Sequence, residues 1–138
     1  MQFALPAVSI RYSDMSTLFE DAAPHPDGYR ELEASELADA ICDGAPRDVA
    51  LVDVRAPFEF DGELGHIPGS KLVPLSEWPR AAESLPHDAQ IVLICRTSAR
   101  AAKAAAMLLT MGFRQVMILR GGIVAWERKS LPIARDAR

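Results

Sequence analysis

Three short runs constrain this chain more than any other feature: "VALVDV" at 49–54, "IVLI" at 91–94 and "QVMIL" at 115–119. Each has the length of a strand and is apolar at nearly every position. That pattern predicts strands buried on both faces rather than strands alternating between core and solvent. Between them lie stretches of helical character. In "EASELADAICDG", Leu37, Ala38, Ile41 and Cys42 share one helical face, Ser35 is the expected N-cap and Gly44 the stop. "APFEF" at 56–60 starts a short helix with Pro57 in its first turn, "GHIPGSKLVPL" at 65–75 reads as a turn and a short strand, and "SEWPRAAESL" at 76–85 is weakly helical. Residues 99–111 make a good helix, and "GGIVAWERKS" at 121–130 a final short one. Doubly buried strands alternating with helices predict an α/β fold around a parallel sheet.

Open sheets of this kind place their ligand sites beyond the carboxyl ends of the strands. "ICRTSAR" at 94–100 falls there, with Cys95 just past a strand and a helix beginning a few residues on. Backbone N–H groups at a helix start are unpaired and sit at the positive end of its dipole, a setting that favours anions and the thiolate form of a cysteine. Arg96 and Arg100 add positive charge, and arginine beside apolar chain needs an anion to meet. Cys95 therefore reads as a nucleophile rather than as a small core hydrophobe. Cys42, on the apolar face of its helix, reads as the core residue.

Other polar residues are less decided by spacing. Asp53 and Arg55 flank Val54 at a strand end and suit a buried ion pair or a loop contact as well as chemistry; Glu59, four residues past Arg55, is placed to pair with it. His66, in "GHIPG", shapes a turn rather than catalysing, and His25 and His87 fall in loops where they are expected to be solvated. Trp78 and Trp126 read as core or subsite-wall residues. No zinc-ligand spacing, phosphate loop, GxGxxG or GxSxG occurs.

The formal charge of −4 argues against nucleic acid as the main partner. No apolar run approaches the roughly 18 residues of a membrane span, so no membrane partner is expected. The first residues lack the marks of a signal peptide, and a domain of this size needs no disulfide, so Cys42 and Cys95 are expected as free thiols in a cytoplasmic protein.

Five stretches in order, "LVDVRAPFEF" (51–60), "GHIPGS" (65–70), "IVLICRTSAR" (91–100), "AAKAAAMLLTMGF" (101–113) and "ILRGGIVAWERKSLPI" (118–133), make the chain resemble the rhodanese, or thiosulfate sulfurtransferase-like, family. With the "YRELEASEL" lead-in the resemblance covers residues 29–133, leaving 1–28 as an N-terminal extension of open role and 134–138 as a tail. It implies a five-stranded parallel sheet flanked by helices, with Cys95 at the base of a cradle formed by Arg96, Thr97, Ser98, Ala99 and Arg100. Asp53, Arg55, Glu59 and His66 would support the site from nearby.

The implied activity moves a sulfane sulfur from thiosulfate or a related persulfide donor, through a persulfide on Cys95, to cyanide, a thiol or a protein acceptor. Kinetics would be ping-pong, with no metal or organic cofactor. Arg96 and Arg100 would bind the sulfonate end of the donor, with Thr97 and Ser98 adding hydroxyl donors. A sulfur-carrier module serving one protein partner is the first alternative, and a redox-regulatory domain with Cys42 as resolving thiol the second. Phosphatases on this fold carry C-x5-R with histidine before the cysteine; the C-x4-R from Cys95 to Arg100, preceded by Ile94, sets that chemistry lower. Two positions depart from related active members, Ser98 where glycine is common and Ala101 where serine is. Glycine would permit a positive φ, so Ser98 must take an ordinary conformation or accept strain.

Overall fold

The computed structural model describes residues 17–135. Helix α1 (Leu18–Asp21) leads into β1 (Ala23–Pro24), β2 (Arg30–Leu32), α2 (Ala34–Ile41), β3 (Val49–Asp53), α3 (Pro57–Phe60) and β4 (Lys71–Leu72). Two 3-10 turns (Leu75–Glu77 and Arg80–Ser84), β5 (Gln90–Ile94), α4 (Ala99–Thr110), β6 (Val116–Leu119) and α5 (Gly122–Arg128) complete it. The sheet order is β1-β2-β6-β5-β3-β4. The five strands β2 to β6 are parallel, as expected, and β1 adds a sixth, antiparallel to β2, on one edge.

Side chains of successive strand residues face opposite sides of the sheet, and both sides are covered. Ile91 and Leu93 join Val52, Val116 and Ile118 on the face packed by α4, whose small Ala101, Ala104 and Ala105 let the helix lie close. Val92 and Ile94 join Leu51, Met117 and Leu119 on the face covered by Leu18, Leu37, Ile123 and Trp126 from α1, α2 and α5. Burial on both sides is the physical reason the three apolar runs do not alternate. Both tryptophans are core residues whose indole N–H is satisfied by a backbone carbonyl, Trp78 on Val73 and Trp126 on Pro132.

The described part of the leading segment belongs to this core. Thr17 caps α1 by accepting the Glu20 N–H, buried Leu18 packs under the sheet, and the Phe19 N–H donates to Gln90 at 2.8 Å. Arg30 lies over the Phe19 ring at 4.5 Å. The weakly alternating "AVSIRY" falls outside the described residues.

Two expectations about α2 fail. The N-cap is Glu33, not Ser35: the Glu36 carboxylate reaches back to the Glu33 N–H at 2.8 Å and starts the helix directly after β2. Cys42 is exposed rather than buried, because α2 ends at Ile41 and Cys42 lies past its last packed turn.

Topology fixes where the site lies. From β3 the chain passes outward to β4, and from β5 it passes the other way to β6, so connections diverge at the carboxyl ends of β3 and β5. Such a divergence opens a crevice in an α/β sheet. Asp53 is registered beside Ile94, and the Val54 N–H bonds the Ile94 carbonyl at 2.9 Å, which brings 53–55 alongside Cys95.

Candidate active site

Cys95 is 1% exposed, at the floor of the crevice, and the Ala101 N–H donates to its Sγ at 3.3 Å. Around it the chain turns through residues 96–98 into α4. Among the described residues, none of the backbone N–H groups of 96–100 has a hydrogen-bond acceptor. An unpaired row of donors at the first turn of a 12-residue helix is a place for an anion. Arg96, Thr97 and Ala99 are exposed on the rim, and Ser98 and Arg100 are half-buried.

Ser98 has φ −166°, extended backbone open to any residue, so the departure from glycine costs no left-handed strain. Its hydroxyl donates to the Thr97 carbonyl and accepts the Gly121 N–H at 3.0 Å, fastening the cradle to the start of α5. The same junction is braced twice more, by Ile123 N–H to the Cys95 carbonyl at 2.9 Å and Val124 N–H to the Arg96 carbonyl at 3.1 Å. Gly122 makes this approach feasible. It has φ +60°, and a Cβ there would stand 2.4 Å from the Cys95 carbonyl oxygen and 2.5 Å from that of Arg96. Sequence reading assigned neither Gly122 nor the Ser98–Gly121 link; the tandem glycine before an apolar helix was the signal available for the first.

Two ion pairs flank the cysteine. Asp53 and Arg55 form a buried one: Asp53 Oδ1 accepts from Arg55 Nε at 2.9 Å and Oδ2 from Nη2 at 2.8 Å. Arg55 Nη2 also donates to the Gly65 carbonyl at 2.7 Å, which ties the loop before His66 to the floor. Of the readings open for this pair, the structure gives both the buried bridge and the loop contact.

Glu59 does not pair with Arg55. It forks Arg100, with Oε1 and Oε2 accepting from Nη1 and Nη2 at 2.7 and 2.9 Å, while Oε1 also takes the Ala56 N–H at 3.0 Å. Arg55 instead gives its Nε and Nη2 to Asp53 and Gly65, and acts on Glu59 only through its charge. The Arg100 hydrogen bonds hold the Glu59 carboxyl at about 2, well below its usual range. Arg100 in turn is pushed above its ordinary value, first by those hydrogen bonds, with Cys95 and Asp53 adding Coulombic attraction.

His66, expected to shape a turn, packs against the chain on either side of it. Its Nδ1 donates to the Phe60 carbonyl at 2.8 Å, its ring stacks on Phe60 at 3.6 Å, and its backbone bridges Ala134. His25 and His87 are not simply solvated, since they stack on Tyr29 and Phe113. The two thiols are not brought together by topology: α2 carries Cys42 back toward the amino end of β3, whereas Cys95 lies beyond the carboxyl end of β5. Among the described residues no three His, Cys, Asp or Glu side chains gather to hold a metal ion, and no helix is long and apolar enough to cross a membrane.

Both the sequence and the fold of this domain are matched by known proteins. Residues 33–129 match the family model described as Rhodanese-like domain. The chain belongs to the rhodanese-like family. It is 38% identical over 103 residues to a sulfurtransferase of Allochromatium vinosum, a match covering 75% of this chain and 92% of that one. It is also 38% identical over 115 residues to the probable adenylyltransferase/sulfurtransferase MoeZ of Mycobacterium tuberculosis, where the match spans 82% of this chain but only 28% of the longer protein. Among solved structures, a rhodanese-related protein from Thermoplasma volcanium superposes with a TM-score of 0.69 at 29% identity, over 78% of this chain and all of that one. The rhodanese-like chain is thus a small α/β domain of a sulfurtransferase family.

Proposed function

We propose that this rhodanese-like domain is a sulfurtransferase in which Cys95 carries the sulfur as a persulfide. The observation that carries the reading is the buried Cys95 Sγ at the start of α4, beneath a row of backbone N–H groups from 96–100 that have no acceptor among the described residues. The thiolate attacks the sulfane sulfur of thiosulfate or a related persulfide donor. The bond from that sulfur to the rest of the donor breaks, and its electron pair leaves with the departing group, sulfite in the case of thiosulfate. A second attack, by cyanide or a thiol, takes the outer sulfur and returns the thiolate, so kinetics are ping-pong. The N–H groups of 96–100 stabilise the outer sulfur's negative charge as an oxyanion hole stabilises oxygen. Arg96, exposed and without an ion-pair partner among the described residues, meets the anionic end of the donor.

The test is the intact mass of the protein after incubation with thiosulfate, with sulfite release followed in parallel. Wild type gains one sulfur matched by sulfite, and Cys95→Ser gains none while keeping its fold. A gain retained by Cys95→Ser, or absent from wild type with thiosulfate and with persulfide donors alike, overturns the proposal.

A further inference from the structure

The positive charge that makes a cradle of this kind attractive to anions is half cancelled here. Arg100 follows Cys95 by five positions, yet its terminal nitrogens are both given to the Glu59 carboxylate, at 2.7 and 2.9 Å. Glu59 is anchored in turn by the Ala56 N–H, so the carboxylate is fixed at the start of α3 and the guanidinium is drawn toward it. Arg100 also lines, with Val54, Ala56, Leu75, Lys103 and Met107, a groove of about 630 Å³ whose walls do not include Cys95. Its side chain is thus turned toward α3 and this groove rather than standing free over the thiol. A substrate anion entering the cradle meets one unneutralised guanidinium, Arg96, and a neutral pair.

We propose that Glu59 is a specificity-determining residue that, by forking Arg100, tunes the cradle to sulfur donors with a single negative charge and against dianionic donors such as thiosulfate. The inference rests on the sulfur-transfer reading above and adds the charge class of the donor. Its physical basis is that a second negative charge on the donor must be met by a cation or by water. One of the two arginines of the cradle, Arg100, is held by a carboxylate that would itself repel that charge. Glu59 does not touch the reacting atoms; it acts through Arg100.

Thiosulfate and methanethiosulfonate make a matched pair of probes. Each offers a terminal sulfane sulfur on a sulfonyl centre, the first as a dianion and the second as a monoanion. In each, Cys95 thiolate bonds to the sulfane sulfur as the bond to the sulfonyl sulfur breaks. The electron pair leaves with sulfite or methanesulfinate, and charge is conserved.

The readout is the ratio of kcat/KM for thiosulfate to that for methanethiosulfonate. Glu59→Gln keeps an oxygen for the Ala56 N–H but removes the charge, and is expected to raise the ratio about tenfold. Arg100→Gln leaves Glu59 uncompensated and is expected to lower it by a similar factor. Opposite shifts in the two variants support the proposal. Equal losses with both donors, leaving the ratio unmoved, would make the pair a brace between α3 and α4 and overturn it. Should one variant fail to fold, the other still carries a signed expectation. Wild type that takes sulfur from neither donor refutes sulfur transfer itself, whereas wild type that takes sulfur with a ratio indifferent to both substitutions refutes only the role of Glu59.

Discussion

The two ion pairs beside Cys95 have similar bond lengths and opposite settings. Asp53–Arg55 is closed off from water, its side chains 0% and 2% exposed, and Arg55 Nη2 also reaches the Gly65 carbonyl within the floor. Glu59–Arg100 stands at the rim, with Glu59 18% and Arg100 39% exposed. A buried pair is costly to assemble but far costlier to break, because the surviving charge has neither partner nor solvent. A rim pair is screened, and either member can be rehydrated. The first is therefore suited to a scaffold, and the second to an adjustable surface charge at the rim of the crevice.

The most severe way to break this contrast is Arg55→Leu, which leaves the Asp53 carboxylate buried and alone and frees the Gly65 carbonyl. Unfolding by urea should show a loss of about 3–5 kcal/mol. A loss under about 1 kcal/mol would mean that water reaches the floor. Glu59→Gln should cost less at neutral pH, about 1–2 kcal/mol, the value of hydrogen bonds to a charged partner reduced by solvent screening at the rim.

The same substitution separates the pairs by pH. Glu59 has its folded pKa lowered to about 2 from an ordinary 4.5, so the stability it contributes is complete above about 4.5 and is lost as pH falls toward about 2. Acid titration of stability should thus be flatter in Glu59→Gln than in wild type within that window. Identical curves would show that the fork does not form in solution. The smallest effect is expected for Ser98→Ala, which removes one partner of the Gly121 N–H at the seam between floor and rim. About 1 kcal/mol is expected from the same urea measurement. A loss matching that of Arg55→Leu would move Ser98 from the rim into the scaffold.

What could be read from the sequence follows the range of the interaction responsible. Strands β3, β5 and β6 were legible because burial on both faces writes itself into every residue of a run such as Ile91–Ile94. Cys95 was legible because strand, cysteine and helix start are contiguous. Glu59–Arg100 was not, because its members are 41 positions apart and spacing alone offered the local alternative, Arg55. Arg55 was in fact consumed by its neighbour two residues back. The N-cap of α2 was misplaced by two residues because Ser35 satisfies the usual preference, while Glu36 satisfies the same backbone from the other side. Strands β1 and β4 are two residues each, defined by what they pair with rather than by their own composition.

The contact at Gly122 bears on remodelling the site by design. Carbonyls of Cys95 and Arg96 sit against that glycine and accept from Ile123 and Val124 just beyond it, so the first residues of the turn and the first turn of α5 form one rigid joint. Inserting a residue after Arg96 would spare the joint and enlarge only the outer arc, whereas an insertion between Cys95 and Arg96 would break it. Loop-length libraries for a larger oxyanion therefore have a natural point of entry, and the segment to leave untouched lies 26 residues downstream of it in sequence.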